Sequence, residues 1–72
     1  MNFDKNQLIK LAQTKMPFGK FRGTVLIDLP EKYIVWFESQ GFPDGEIGNL
    51  LKQLYEIQVN GLEYLIRPLK KQ

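Results

Sequence analysis

The chain has 72 residues, 43% of them hydrophobic, and contains neither cysteine nor histidine. This length makes one small domain over residues 1–72 and leaves little room for a second. The absence of cysteine excludes disulfides and thiolate ligands and favours a reducing compartment; with no signal-like N-terminus and no long apolar run, we expect a cytoplasmic protein with no membrane partner.

Charge is segregated along the chain. Residues 1–25 hold five basic residues and one acidic residue, residues 26–63 hold two basic and seven acidic, and residues 64–72 hold three basic and none acidic. Two interpretations stay open. Either the basic ends are a solvated surface that attracts the acidic middle, or they converge into one basic face for a polyanion.

The first predicted element is a helix over about residues 4–14. Asp4 is placed to cap it, and Leu8, Leu11 and Ala12 recur at helical spacing. Pro17 ends the helix at or before the preceding residue, because a residue before proline is driven away from helical geometry.

A glycine-rich segment follows, with the sequence Met-Pro-Phe-Gly-Lys-Phe-Arg-Gly over residues 16–23. Its two glycines indicate turns, and Thr24 begins a short run of β-prone residues. We therefore expect a β-hairpin near residues 16–27, in which residues 16–18 pair with residues 25–27. Two such short strands need helices to lie on.

The second predicted helix opens at Asp28-Leu29-Pro30-Glu31, where Asp28 and Glu31 match a capping box. It ends at Gly41. Its aromatic and aliphatic residues form one apolar face that we expect to be core: Tyr33, Ile34, Trp36 and Phe37.

The third predicted helix is the longest and starts near Ile47. Its end is open to two interpretations, because residues 55–59 fit helical spacing but also alternate like a strand before Asn60-Gly61. Residues 55–66 form either the end of this helix followed by a short helical turn, or a hairpin. We favour the helix.

These elements together predict an α+β fold: a small, mostly helical single domain whose hairpin packs on three to four helices. Helices should cover more than half of the ordered residues. The predicted core consists of Leu8, Leu11, Phe18, Leu26, Tyr33, Ile34, Trp36, Phe37, Ile47, Leu50, Leu51, Leu54 and Leu62.

Catalysis finds little support in the composition. The chain has no histidine, which is the commonest general base and the commonest metal ligand. Its single serine therefore has no histidine to activate it, and the sequence contains no phosphate-binding glycine motif. The carboxylate pairs Asp28/Glu31 and Asp44/Glu46 fit helix starts better than a magnesium site. We expect no enzyme, no catalytic residue, no cofactor and no metal.

Four further motifs accompany the glycine segment: Asp-Leu-Pro-x-x-Tyr-Ile-x-Trp-Phe, Gly-Phe-Pro-x-Gly-x-x-Gly, Tyr-Glu-Ile-x-x-Asn-Gly-Leu-Glu and Arg-Pro-Leu. Over about residues 16–70 the chain resembles a bacterial family of unknown function labelled "putative quorum-sensing-regulated virulence factor". Its first half is also similar to the C-terminal domain of exodeoxyribonuclease-X-like proteins. The second resemblance implies an accessory nucleic-acid-binding role, without the exonuclease's own catalytic domain.

The leading hypothesis is therefore a non-enzymatic binding module for nucleic acid. In it, Phe21 stacks on a base while cations meet phosphates. The candidate contact residues are Lys15, Lys20, Phe21, Arg22, Arg67, Lys70 and Lys71. The alternative is a protein-interaction or regulatory module, self-association included, with an apolar surface at Phe42, Ile57 and Val59. The sequence leaves the oligomeric state open.

Overall fold

Three α-helices and three short 3-10 segments make up a computed structural model that describes the backbone of residues 4–71 and the side chains of residues 4–69. The α-helices are α1 (Lys5–Gln13), α2 (Glu31–Gln40) and α3 (Gly45–Val59). The 3-10 segments are Leu26–Asp28, Glu63–Leu65 and Arg67–Lys71. The structure is 65% helical, which confirms the prediction that helices cover more than half of the ordered residues.

Helix α1 lies where the sequence predicts it. The side chain of Asp4 accepts a hydrogen bond from the backbone N–H of Asn6 at 2.9 Å, which satisfies one of the free donors at the helix start. The buried residues of α1 are Leu11 and Ala12, which share the predicted apolar face.

The predicted α+β class is wrong, because the described residues contain no β-strand. The expected hairpin near residues 16–27 is reduced to one isolated antiparallel bridge between Lys15 and Val25. Pro17 has no N–H to donate to a ladder, and the positive φ angles of Gly19 and Gly23 fold the segment into turns. After the bridge the chain winds into the 3-10 segment at residues 26–28 instead of extending.

Helix α2 begins at the end of the predicted capping box, three residues after Asp28. Glu31 is its first residue, and Pro30 stands at the cap position without a side-chain hydrogen bond. The predicted apolar face is only partly correct: Ile34 and Phe37 are buried, Tyr33 is half-buried and Trp36 is exposed. At about 100° per residue, Ile34 and Trp36 lie about 160° apart around the axis, which is too wide an arc for one packing contact.

Helix α3 continues through Val59, so the hairpin alternative for residues 55–66 is wrong. The chain turns at Asn60 and Gly61, where the N–H of Leu62 donates to the carbonyl of Ile57 at 2.8 Å. The two 3-10 segments follow, in agreement with the favoured short helical turn.

The core lies where α2 packs on α3 and where α1 packs on the segments 26–28 and 67–71. Seven predicted core residues are buried, namely Leu11, Leu26, Ile34, Phe37, Leu50, Leu51 and Leu54. Phe18 and Trp36 are exposed, so their assignment to the core is wrong. Among the described residues, five buried hydrophobic residues are not in the predicted core: Ala12, Met16, Leu29, Ile57 and Ile66. In the described part of the chain, no helix has the length and apolarity that crossing a bilayer requires.

Candidate functional site

The glycine segment folds into a tight loop that holds Lys20 and Phe21 at its tip. At its base, the N–H of Met16 donates to the carbonyl of Thr24, and the N–H of Gly23 donates to the carbonyl of Met16, both at 2.8 Å. Within the loop, the N–H of Arg22 donates to the Gly19 carbonyl at 3.2 Å. These bonds fix the loop although it belongs to no sheet.

The loop and the start of α2 form a groove with a volume of about 360 Å³. Its lining residues are Lys20, Phe21, Pro30, Lys32 and Tyr33, and we call it the cation–aromatic groove. Lys20, Pro30 and Lys32 are exposed, so the groove opens to solvent. Its volume is in the range of small-molecule sites, which start at about 300 Å³.

Phe21 joins the loop to the helix through an aromatic contact. Its ring centroid lies 4.6 Å from that of Tyr33, with the planes at 60° in an edge-to-face arrangement. The ammonium nitrogen of Lys20 lies 5.6 Å from the centroid of the Phe21 ring, within the range of a cation–π interaction. Phe21 is thereby held against the helix, and Lys20 lies over the Phe21 ring.

The aromatic surface continues along α2 beyond the groove. The ring centroids of Tyr33 and Trp36 lie 6.2 Å apart, and the two ring planes are nearly parallel, with an angle of 9° between them. Phe37 contacts both rings edge-on, with centroid distances of 5.0 Å to each. Because Phe37 is buried, it supports the pair from the core side.

The electrostatics of the groove are those of free cations beside apolar rings. Within the described side chains, neither Lys20 nor Lys32 is paired with a carboxylate. Lys10, by contrast, lies 2.7 Å from a carboxylate oxygen of Glu46. Burial raises the pKa of the Tyr33 phenol above its ordinary value of 10.0, because desolvation disfavours the phenolate. The groove therefore presents positive charge and a neutral phenol at physiological pH.

The structure brings together only part of the predicted site. Lys20 and Phe21 line the groove, whereas Arg22 is exposed on the same loop and Lys15 is exposed at its base; neither lines the groove. Arg67 is exposed in the last 3-10 segment, which packs on α1, so the two basic ends of the chain are neighbours. The side chains of Lys70 and Lys71 lie outside the described residues.

Sequence reasoning missed Lys32, placed Tyr33 in the core, and missed the exposure of Trp36. One signal was available: the aromatic stripe of α2 spans a wider arc than one contact can bury. That signal indicates that one edge of the stripe faces solvent, and Lys32 lies next to Tyr33 in sequence.

The arrangement is suited to binding. Among the described residues, no group of three or more carboxylates is placed to hold a metal ion together. The groove combines two exposed cations, two aromatic rings and a proline. Such a surface can attract an anion and stack a flat group beside it.

Fold and groove define a small helical protein with an exposed cation–aromatic surface. The chain belongs to the family described as "Putative quorum-sensing-regulated virulence factor", whose model matches residues 4–69. It is 48% identical over 69 residues to the uncharacterized protein YpeB of Escherichia coli K12, covering 94% of this chain and 96% of that protein. YpeB of Escherichia coli O157:H7 matches equally well.

The family assignment confirms the first of the two resemblances. The similarity of the first half to exodeoxyribonuclease-X-like proteins is not among these findings and stays a prediction. No solved structure matches the chain at a significant level.

Proposed function

We propose that this protein is a non-enzymatic binding module for nucleic acid and that the cation–aromatic groove is its contact surface. One observation carries the proposal: two lysines that pair with no carboxylate of the described residues line the same solvent-open groove as two aromatic rings. Proteins that bind single-stranded nucleic acid use this combination, because lysines neutralise phosphates while aromatic rings stack on bases.

The charges outside the groove extend the same surface chemistry. Arg22 lies on the groove's own loop, and Lys15 lies at the base of that loop. Both are exposed and add long-range attraction for a polyanion. Arg67, Lys70 and Lys71 belong to the proposal as predicted contacts of the basic C-terminal segment.

The absence of an activated nucleophile supports a binding role over catalysis. Ser39 is the only serine of the chain, and its hydroxyl donates to the carbonyl of Trp36 at 2.7 Å. The chain has no histidine to act as its base.

The test is a titration with labelled DNA and RNA oligonucleotides at two salt concentrations. We compare the wild type with Lys20→Ala and Lys32→Ala, and use Lys10→Ala as the matched control. All three variants remove one lysine, but Lys10 is already paired with Glu46. We expect the logarithm of the association constant to fall linearly with the logarithm of salt concentration, with a slope that weakens by about 0.7 to 0.9 for each groove lysine removed.

Two results would overturn the proposal. One is undetectable binding to every oligonucleotide at low salt. The other concerns two double variants, Lys20→Ala with Lys32→Ala and Lys20→Ala with Arg22→Ala. The proposal fails if both bind nucleic acid as strongly as the control variant Lys10→Ala.

The alternative role in protein interaction loses its predicted surface. Ile57 is completely buried, and Phe42 packs on Tyr55 with ring centroids 6.1 Å apart, so these residues do not form an open patch with Val59. Val59, Tyr64 and Leu65 remain exposed near the C-terminal end and favour a protein partner there. Sedimentation velocity over a range of concentrations tests the self-associating version of this alternative.

A further inference from the structure

Trp36 is the largest apolar side chain that the structure leaves exposed on α2. It is 51% exposed although it belongs to an aromatic cluster. Its ring lies nearly parallel to that of Tyr33, with 9° between the planes and 6.2 Å between the centroids. We call these two rings the aromatic platform.

The platform is held in place before any ligand arrives. Phe37, only 8% exposed, contacts both rings edge-on at 5.0 Å. Phe21 contacts Tyr33 from the loop at 4.6 Å. A ring that is already ordered loses little conformational entropy on binding, so stacking on it is more favourable.

Positive charge lies at the Tyr33 end of the platform, because Lys20 and Lys32 line the same groove as Tyr33, whereas Trp36 lies outside that lining. Lys32 precedes Tyr33 on α2, and Lys20 reaches over Phe21 on the facing loop. A ligand that stacks on the rings therefore brings any anionic group attached to it close to an ammonium group.

We propose that the groove and the platform select unpaired nucleotides, so that the protein binds single-stranded nucleic acid in preference to duplex. This inference rests on the proposed function and names its substrate class. In a duplex the faces of the bases are covered by their neighbours, and only the phosphates would be left to bind. A groove of about 360 Å³ is large enough for one nucleotide-sized group, and a base can enter it only when that base is not stacked inside a duplex.

An acidic protein segment is the competing occupant. Its carboxylates would pair with Lys20 and Lys32, but it would offer no flat group to stack on the rings of the platform. Exposed aromatic rings beside cations favour a ligand with both features, and a nucleotide joins a flat base to a phosphate.

The experiment compares four probes at equal charge: a single-stranded oligothymidine, an abasic oligonucleotide of the same length, a duplex, and polyglutamate. Trp36 is the only tryptophan of the chain, so its fluorescence reports directly on the platform. We expect oligothymidine to quench this fluorescence and to bind at least about fivefold tighter than the abasic probe, the lower bound for one stacked base.

Two variants separate stacking from general surface effects. Trp36→Leu keeps an apolar side chain but removes the ring, and should weaken oligothymidine binding at least about fivefold while leaving the abasic probe unchanged. Trp36→Phe should restore most of the affinity. Val35→Ala is the matched control, because Val35 is also exposed on α2 but lies outside the platform.

The outcomes distinguish this inference from the function on which it rests. Equal binding of oligothymidine, the abasic probe and the duplex would overturn single-strand selection and leave nucleic-acid binding intact. No binding to any nucleic acid at low salt would overturn both. Polyglutamate that binds tighter than every nucleic-acid probe would assign the groove to acidic protein segments and also overturn both.

Discussion

The hydroxyl oxygen of Tyr33 lies against the backbone of Gly19, so close that a Cβ atom at residue 19 would stand 3.1 Å from it. This close approach joins the glycine loop to α2, the two elements that form the cation–aromatic groove. Gly19 also has a φ of +79°, a conformation that side chains other than glycine adopt at a cost.

Gly19→Ala should therefore destabilise the protein more than Gly23→Ala. Both glycines have positive φ, but a Cβ at Gly23 would meet nothing within 4 Å. The backbone cost of about 1–2 kcal/mol is shared by both variants, and only at residue 19 must the Tyr33 hydroxyl also shift by a few tenths of an ångström to make room for the new Cβ. Tyr33 has little freedom to yield, because Phe21 and Phe37 hold its ring.

Urea unfolding measures both variants. The control is Tyr33→Phe, which removes the crowding oxygen: in that background the two glycine variants should cost the same. Equal costs in the wild-type background would show that Gly19 is required for its φ angle alone.

The raised pKa of Tyr33 predicts a stability loss in alkali. Below pH 10.0, the ordinary phenol value, Tyr33 is neutral in both the folded and the unfolded state and contributes no pH dependence. As the pH rises past that value, the unfolded state ionises first, so the free energy of unfolding falls until the folded-state pKa is passed. Tyr33→Phe should show a smaller fall between pH 9 and the alkaline limit of reversible unfolding. An identical fall in both proteins would assign the alkaline loss to other groups.

Gly48 of α3 has no room for a side chain. A Cβ there would lie 1.6 Å from the carbonyl oxygen of Pro43, and backbone atoms cannot move aside as a flexible side chain can. Gly48→Ala should cost at least about 3 kcal/mol or prevent folding. Asn49 is the next residue of the same helix and is exposed, so Asn49→Ala should lower the free energy of unfolding by less than about 0.5 kcal/mol. Circular dichroism during thermal unfolding compares the two, and similar melting temperatures would contradict the close approach of Pro43.

Gln58 places a polar side chain in the core at some cost. Its Nε2 donates to the carbonyl of Leu29 at a long 3.5 Å, and its buried Oε1 has no partner among the described residues. Gln58→Met should leave the free energy of unfolding unchanged or raise it by up to about 1 kcal/mol, because the unpaired oxygen disappears while the volume is kept.

The matched control is Gln53→Met. Gln53 donates to Gln7 at 3.1 Å, so this variant should lower stability by about 0.5–1.5 kcal/mol. A larger loss for Gln58→Met than for Gln53→Met would mean that the bond to Leu29 matters more than the unpaired oxygen.

Local signals in the sequence were enough to find all three α-helices. The Asp4 cap, Gly41 after α2 and the long apolar repeat of α3 each depend on residues a few positions apart. Strand pairing is a long-range property by comparison. The run from Thr24 to Ile27 has β propensity, but the turns at Gly19 and Gly23 leave no partner strand beside it. Only Val25 pairs, in a single bridge with Lys15.

Of the candidate site, the sequence predicted only the residues on the glycine loop. Lys20 and Phe21 stand out in the sequence because they lie between two glycines. Lys32 and Tyr33 join them through the packing of the loop on α2, which no local pattern encodes. The exposure of Trp36 depends on which arc of α2 meets α3, and that too is a property of the assembled fold.

The most direct test of the account is to map an oligothymidine onto the protein by NMR chemical-shift perturbation of backbone amides. We predict the largest shifts at residues 20–21 and 32–36, together with the indole N–H of Trp36, and progressive loss of these shifts as salt is added. Shifts confined to residues 59–65, or none at any residue at low salt, would contradict the assignment of the cation–aromatic groove as a nucleic-acid surface.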